Sequence, residues 1–324
     1  MPVAPSFWFR DGWLAHALSP LGAITRCLTA RRIARPGWRA PVPVICCGNV
    51  TVGGAGKTTL VIDLLRRLTE AGQTPHALLR GHGGSSRGVR RVAPTDSAAE
   101  VGDEALLLSA EAPTWIGADR GASAAAAVAT GASVLVMDDG LQNPTLDKDL
   151  SLLVIDGASG FGNGRLLPAG PLREDVATGA ARCQAAVLIG ADATGALGML
   201  PPGLSVLRAR LVQDRAIEAL RGQRVLAFAG IGRPGKFFAP LADSGAVVVE
   251  TTPFPDHHAF ARRDLDRLSA RAAALDARLV TTPKDAVRLP PDFRARVTVI
   301  GVGLAWEDAA ALDRLLRLAK PAVP

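Results

Sequence analysis

Short apolar runs alternate with helical patterns through most of the chain. A first series of strands is predicted at residues 44–47, 76–79, 114–117, 133–137 and 151–155. Between them lie stretches with apolar positions every three or four residues, including a helix that ends near Leu68 and another at residues 104–110. Strands that alternate with helices predict a parallel α/β sheet with helices on both faces.

A second series of the same kind begins near Arg224. Its strands are predicted at residues 225–229, 246–249, 278–281 and 297–302. Residues 191–203, rich in Gly, Ala and Pro, lead into a further run at 204–212. We therefore place a boundary near Gln213 and expect two α/β/α domains with mainly parallel sheets, at residues 41–213 and 214–324.

The segment at residues 1–40 differs from both series. Its apolar positions recur at helical spacing, at Leu14, Ala17, Leu18, Leu21, Ile24 and Leu28. Residues 12–25 lack charge but fall short of the roughly 20 residues that span a membrane, and Pro20 would kink the helix. The interfacial side chains are Trp8, Trp13, Trp38, Arg26, Arg31, Arg32, Arg35 and Arg39. An amphipathic helix on a membrane surface and a helix packed on the protein both remain open.

Composition narrows the class of partner. The 324 residues carry a net charge of +7, which favours an anionic partner. Aromatic residues make up 4% and Tyr is absent, so few side chains are available to stack on bases, and we expect no nucleic acid. The cysteines show no C-x-x-C spacing, so we expect reduced buried thiols and no zinc site.

A glycine-rich turn lies between the first predicted strand and its helix. Its sequence is Gly53-Gly54-Ala55-Gly56-Lys57-Thr58, followed by Thr59. In this context backbone N–H groups wrap a phosphate chain, Lys57 reaches the β- and γ-phosphates and Thr58 coordinates Mg²⁺. The full pattern has Gly where this chain has Thr51, and a chance glycine-rich turn is the alternative. ATP or GTP binding is the prediction.

Two acids end the apolar strand at residues 134–137. Asp138 and Asp139 are followed by Gly140, as in a strand that holds Mg²⁺ beside a phosphate loop, directly or through water. Acids at this position also form turns. The phosphate loop favours the metal-binding interpretation, with Thr58, Asp138 and Asp139 as the predicted metal site.

Six segments together resemble one family, the tetraacyldisaccharide 4'-kinases of lipid A synthesis. They are residues 48–58, 138–142, 167–174, 228–232, 254–258 and 281–287. The resemblance implies a P-loop core that transfers the γ-phosphoryl group of ATP, with Mg²⁺, to the 4'-hydroxyl of lipid A disaccharide 1-phosphate. It also implies that the protein is peripheral to the cytoplasmic face of the bacterial inner membrane and that its N-terminal helix contacts the bilayer. Ala55, Thr59 and His82 depart from the usual family residues.

The resemblance further implies the roles of individual residues. Asp103, in an acidic pair at a helix start, is the candidate base and pairs with His257, with Lys57 as the third catalytic residue. Nucleotide contacts are expected from residues 53–59 and Gln142. The expected substrate contacts are Asn49, Arg80, Arg120 and Arg173. From the residues alone, Asp103 is also explained as a helix N-terminal acid, and His257 as a loop histidine or as half of a metal pair with His258.

Two other functions stay open at this stage. One is a P-loop GTPase switch or metal-insertion chaperone that acts on a protein partner; the other is a soluble small-molecule kinase. Residues 282–285 superficially resemble a guanine-reading loop, but Lys284 stands third instead of second. The roles of Lys284 and Asp285 are not predicted.

Overall fold

The fold contains two β-sheets with helices packed against them. The structure, a computed structural model, describes residues 5–319. Its strands are β1 (Val44–Gly48), β2 (Pro75–Leu79), β3 (Arg90–Arg91), β4 (Thr114–Ile116), β5 (Val134–Asp138), β6 (Leu150–Asp156), β7 (Ala185–Ile189), β8 (Ser205–Gln213), β9 (Arg224–Ala229), β10 (Val247–Pro253), β11 (Arg278–Thr281), β12 (Thr298–Val299) and β13 (Val302–Trp306).

The helices lie between these strands, and four short 3₁₀ turns accompany them in the described chain. The α-helices are α1 (Trp13–Leu18), α2 (Gly22–Ile33), α3 (Lys57–Glu70), α4 (Ala98–Val101), α5 (Asp103–Ser109), α6 (Arg120–Ala129), α7 (Val176–Ala180), α8 (Gly235–Asp243), α9 (Arg262–Ala274), α10 (Pro283–Ala286), α11 (Pro291–Arg294) and α12 (Ala309–Leu318).

The larger sheet has the strand order β13-β8-β7-β6-β1-β5-β2-β4-β3. Its strands run parallel except at the two edges, where β13 and β3 are antiparallel to their neighbours. Strand β1 lies between β5 and β6, and all five of its residues are buried. A strand covered on both faces reads as a continuous apolar run, which is why the sequence predicts it.

The smaller sheet has the order β10-β9-β11-β12, and all of its strands are parallel. The α/β class with mainly parallel sheets is thus confirmed. Most predicted strands match within two residues, although β10 extends to Pro253 instead of ending near residue 249.

The chain returns from the smaller sheet to the larger one between β12 and β13. A single domain boundary near Gln213 does not account for this return. The predicted strand at residues 297–302 is two strands: β12 stays in the smaller sheet, whereas β13 pairs with β8 in the larger one. Leu312 of α12 is fully buried in the core of the larger sheet with Leu60 and Leu64. The C-terminal strand and helix therefore pack with the first series.

The N-terminal segment holds to the larger domain by polar contacts. Helices α1 and α2 are separated by a 3₁₀ turn at Ser19–Leu21, which contains Pro20, so the predicted single helix is interrupted. Thr25 donates to the carbonyl of Leu167 (2.7 Å), and Arg26 pairs with Asp175 (2.7 Å). Among residues 5–319 we find no helix with both the length and the apolar character needed to cross a bilayer.

Candidate active site

The phosphate loop follows β1 and opens helix α3. Gly56 precedes the helix with φ 83°, in the left-handed region that glycine adopts without strain. A Cβ at Gly56 would lie 2.8 Å from Cδ1 of Ile189, so a side chain there would also displace the end of that isoleucine. Gly53 has φ 117°, and the space around Gly53 and Gly54 is open. The turn leaves the N-terminus of α3 free for an anion.

Lys57 is held at the base of this loop by two side chains. Its Nζ lies 3.1 Å from Oδ1 of Asn49 and 3.5 Å from Oδ1 of Asp139. Asn49 is 1% exposed and also donates to Oγ1 of Thr51 (3.0 Å). Asn49 therefore contacts both the lysine and the loop, and its contact with substrate stays a prediction.

Asp138 ends β5 directly beside the phosphate loop. The parallel pairing of β1 with β5 brings Cys47 opposite Asp138. Thr58 donates to Oδ2 of Asp138 (3.0 Å), while the buried Oδ1 has no hydrogen-bond partner among the described residues. Burial, together with the charge of Glu104, raises the pKa of Asp138 to about 7.

A divalent cation fits this arrangement. The orphaned Oδ1 of Asp138 and the Thr58 hydroxyl are the oxygen ligands that Mg²⁺ uses beside a phosphate chain, with phosphate oxygens and water completing its shell. Residues 5–319 contain no group of three or more His, Cys, Asp or Glu side chains suited to a metal. His258 pairs with Asp264 at 3.0 Å, so the geometry gives no support to a metal pair with His257.

The carboxylate of Asp139 pairs with the side-chain cations of Lys57 and Arg173. Its backbone has φ 53°, a conformation in which Asp is enriched among non-glycine residues. Arg173 donates from Nη1 to both carboxylate oxygens at 3.1 Å. Burial raises the pKa of Asp139, but Lys57 and Arg173 outweigh it and the net shift is downward. Asp139 is therefore an ionised partner of the two cations.

Gln142 is buried between the phosphate loop and Glu174. Its Nε2 donates to the carbonyl of Asn49 (2.8 Å) and to Oε1 of Glu174 (2.7 Å). Only 5% of Gln142 is exposed. In this position it supports the segment that leads into the loop, and its contact with nucleotide or the metal shell stays a prediction.

Arg120 is similarly enclosed, whereas Arg80 is exposed. Arg120 is 2% exposed, donates to the carbonyl of Gly117, and leaves its buried Nε without a partner among the residues described. Burial lowers the pKa of Arg120 to about 10. Arg80 directly follows β2. Contacts of Arg80, Arg120 and Arg173 with substrate stay predictions.

Asp103 and His257 are in contact although one lies on a helix of the larger domain and the other in a loop of the smaller domain. Gly102, with φ 89°, separates α4 from α5 and places Asp103 at the first position of α5. His257 lies in the loop after β10 with φ 58°, and its Nδ1 is 2.8 Å from Oδ2 of Asp103. Burial raises the pKa of Asp103, but His257 and Arg288 outweigh it and keep the pKa below its usual value.

Three charged residues beside this pair were not predicted as site residues. Arg288 is 5% exposed at its side chain, and its Nε lies 3.5 Å from Oδ2 of Asp103. Lys284 Nζ lies 3.4 Å from Nε2 of His257. Asp256 Oδ2 lies 3.7 Å from the same nitrogen. The motifs at residues 254–258 and 281–287 contain Asp256 and Lys284, but spacing alone gives no sign of which side chains converge.

A cleft of about 1750 Å³ opens beside Asp103 and His257. Residues 82–114 of the larger domain line one side, and residues 257–294 line the other. Its wall includes apolar side chains such as Leu106, Phe260 and Leu289 and the cation Arg288. The volume exceeds the roughly 300–1,000 Å³ of sites for drug-sized ligands. A large, partly apolar ligand therefore fits it.

Comparison with known proteins assigns the chain to a family over nearly its whole length. The family model described as tetraacyldisaccharide-1-P 4'-kinase matches residues 14–320. The chain belongs to this kinase family. The chain is 58% identical over 316 residues to the tetraacyldisaccharide 4'-kinase of Gluconacetobacter diazotrophicus, covering 97% of each chain. It is 55% identical over 322 residues to that of Rhodospirillum centenum, covering 97% of this chain and 95% of the relative.

The fold of the kinase also matches a solved structure. It is the crystal structure described as the "apo" form of LpxK from Aquifex aeolicus in complex with ATP. The TM-score is 0.75 at 26% sequence identity, over 94% of this chain and 99% of the other. The match covers both sheets, so the two-sheet architecture is shared.

Proposed function

We propose that this kinase transfers the γ-phosphoryl group of ATP to the 4'-hydroxyl of lipid A disaccharide 1-phosphate. In this step the hydroxyl oxygen bonds to the γ-phosphorus, the bond from that phosphorus to the β–γ bridging oxygen breaks, and ADP leaves. The hydroxyl proton passes to the carboxylate of Asp103. The arrangement of Asp103 and His257 on the wall of a lipid-sized cleft is the observation that carries this proposal.

The nucleotide side of the site consists of the phosphate loop and the acids of β5. Backbone N–H groups of residues 53–59 bind the phosphates, and Lys57, released from Asn49 and Asp139, donates to the β- and γ-phosphates. Thr58 and Asp138 would hold Mg²⁺, which supplies charge neutralisation on those phosphates when bound. The backbone N–H of Arg173 donates to the carbonyl of Val50 at 2.7 Å, and its guanidinium pairs with Asp139, which also contacts Lys57. We assign this guanidinium to the transferred group.

The acceptor side consists of the Asp103–His257 pair and the cleft. Both His257 and Arg288 contact Oδ2 of Asp103, and Oδ1 accepts no hydrogen bond from any other described residue. An oxygen with free lone pairs at the edge of a cleft suits a base that must reach a hydroxyl. We assign Oδ1 to the 4'-hydroxyl and the apolar wall to the lipid.

The membrane side is the N-terminal segment. Thr25 contacts the protein through the carbonyl of Leu167, whereas Trp13, Ile24 and Leu28 are 80%, 58% and 61% exposed. Exposed apolar side chains next to the cations Arg31, Arg32 and Arg35 suit a surface that rests on an anionic bilayer. We propose that this surface docks the kinase on the cytoplasmic face of the inner membrane, where its acceptor resides.

One experiment tests the activity directly. The protein is incubated with Mg²⁺, the disaccharide 1-phosphate in detergent, and either ATP or GTP, and the lipid is analysed by mass spectrometry. We expect one added phosphate at the 4'-position with ATP. A lipid that stays unmodified contradicts the proposal, and a strong preference for GTP without lipid turnover favours a GTPase switch instead. No observation on the site favours that second function.

A further inference from the structure

The outer nitrogen of His257 faces a lysine. Nδ1 of the imidazole contacts Asp103 at 2.8 Å, and on the opposite side of the ring Nε2 lies 3.4 Å from Nζ of Lys284. The lysine side chain is 25% exposed, so the contact lies in a partly desolvated place. An ammonium group here acts on the histidine more strongly than it would in bulk water.

The position of Lys284 is set by a network of hydrogen bonds. Thr282 caps α10 by accepting from the N–H of Asp285 (3.1 Å), which fixes the turn that carries Lys284. Asp285 is fully buried and accepts from the N–H of Gly230 (2.8 Å) and from Arg288 (2.8 Å). The loop of His257 is tied to the same network, because its N–H donates to the carbonyl of Gly230 (3.2 Å). The contact between Lys284 and His257 is therefore fixed by the hydrogen bonds that join the segments following β9, β10 and β11.

This contact decides which ring nitrogen carries the proton. An ammonium group has only donors, so the nitrogen it faces must be the one with a free lone pair. Nδ1 then carries the hydrogen and donates to Asp103. Asp256 Oδ2, at 3.7 Å from Nε2, lies beyond hydrogen-bond distance and does not compete as an acceptor. In this arrangement the carboxylate of Asp103 accepts the hydrogen bond from the imidazole.

The charge of Lys284 also opposes a second proton on the imidazole. The charged groups that face the pair are Asp256 and Lys284 at the imidazole, and Arg288 at the carboxylate. Asp256 lies 3.8 Å from Lys284 and offsets part of its charge. A doubly protonated imidazole would neutralise Asp103 and weaken it as a base.

We propose that Lys284 is a positioning residue that acts through His257: it fixes the Nδ1–H tautomer and keeps the imidazole neutral, so that Asp103 stays available to accept the acceptor's proton. This inference rests on the proposed role of Asp103 and His257. It adds a third member to the pair, one that is not among the residues lining the cleft.

The test combines two measurements on the intact protein. Imidazole ¹⁵N shifts report the tautomer and charge of His257 in labelled protein, with the His257→Gln spectrum for assignment. The pH dependence of kcat/KM for the disaccharide 1-phosphate reports the active form. The variants are Lys284→Met, Lys284→Arg and Asp256→Asn. Lys236→Met, at a lysine 48% exposed and paired with Asp156, is the matched control.

We expect ¹⁵N shifts of the Nδ1–H tautomer in the parental protein. In Lys284→Met the imidazole gains its second proton at higher pH, and the acid limb of the kcat/KM profile moves up by about one pH unit. Lys284→Arg restores the parental profile, Asp256→Asn moves the limb to lower pH, and Lys236→Met leaves it in place. A lysine that only holds the fold would reduce activity at every pH without moving the limb.

The outcomes separate this inference from the proposed function. An Nε2–H tautomer, or an imidazole titration that Lys284→Met leaves unmoved, overturns the role of Lys284. If the imidazole titration moves while the kcat/KM profile does not, the tautomer assignment is supported and the assignment of the pair as the base is overturned. Because Asp256→Asn predicts a shift of opposite sign, the inference stays testable even where Lys284→Met folds poorly.

Discussion

His257 Nδ1 lies 2.8 Å from Asp103 Oδ2, although the two residues are 154 positions apart in the sequence and lie in different domains. Asp103 begins a helix of the larger domain, and helix α10 of the smaller domain contacts that helix. His257 adopts φ 58° to reach the carboxylate, and a strained backbone of this kind persists where the surrounding structure imposes it. The pair therefore exists only when the two sheets are correctly placed.

Lys57→Ala is expected to lower kcat/KM for ATP by about 10²–10³-fold, because a preorganised cation is removed from the transferred phosphate. The lysine side chain is 10% exposed and is held by Asn49 and Asp139. Steady-state kinetics with the disaccharide 1-phosphate measures the loss, and Lys236→Ala is the control. Parental kinetics in Lys57→Ala would remove the lysine from phosphate binding.

Asp138→Asn is expected to raise the thermal stability of the nucleotide-free protein, and more so as the pH rises. Burial raises the folded-state pKa of Asp138 to about 7, above its unfolded value of 3.8. Between these values the unfolded state has released the proton and the folded state has not, so rising pH destabilises the parental fold. Asparagine does not titrate and escapes this loss.

The measurement is the Tm of both proteins at about pH 5 and about pH 8 with a chelator present. The Tm advantage of Asp138→Asn should be larger at the higher pH, while its Mg²⁺-dependent turnover should be strongly reduced. A Tm difference that stays constant with pH would contradict a raised pKa, and full turnover would contradict a metal role for Asp138.

Replacing the exposed apolar side chains Trp13, Ile24 and Leu28 with Ser is expected to weaken binding to anionic liposomes by at least about tenfold, because each side chain loses about 1.5–3 kcal/mol of burial in the bilayer. Co-sedimentation measures the binding. Leu318→Ser, at a leucine 75% exposed on α12, is the matched control. Unchanged sedimentation of the triple variant would assign the segment to packing alone.

The sequence predicts those parts of the fold that depend on local patterns. Strand β1 and helix α3 are a continuous apolar run and an amphipathic stripe, and both appear within two residues of expectation. The pairing of β13 with β8 could not be predicted, because no periodicity records which distant strand a segment joins. For the same reason, the apolar pattern of residues 297–302 does not show that β12 and β13 are separated at Ile300 and Gly301.

The candidate site is predictable to a smaller extent. Residue type and spacing single out Lys57, Thr58 and Asp138, whose roles follow from one local turn and one neighbouring strand. The burial of Asn49 and Gln142 depends on side-chain direction, which the sequence does not give. The contact of Lys284 with His257 depends on how the segments after β9, β10 and β11 pack together. The sequence around Lys284 does not indicate this partner.

The central claim is that Asp103 and His257 act as one base on the acceptor, and a double-mutant cycle of kcat tests it most directly. Asp103→Asn is expected to lower kcat by about 10²–10⁴-fold while ATP binding, measured by calorimetry, stays unchanged. Adding His257→Gln to that variant should lower kcat no further than about threefold, because residues that act as a unit are strongly non-additive. Independent, multiplicative losses, or a near-parental kcat in Asp103→Asn, would contradict the account.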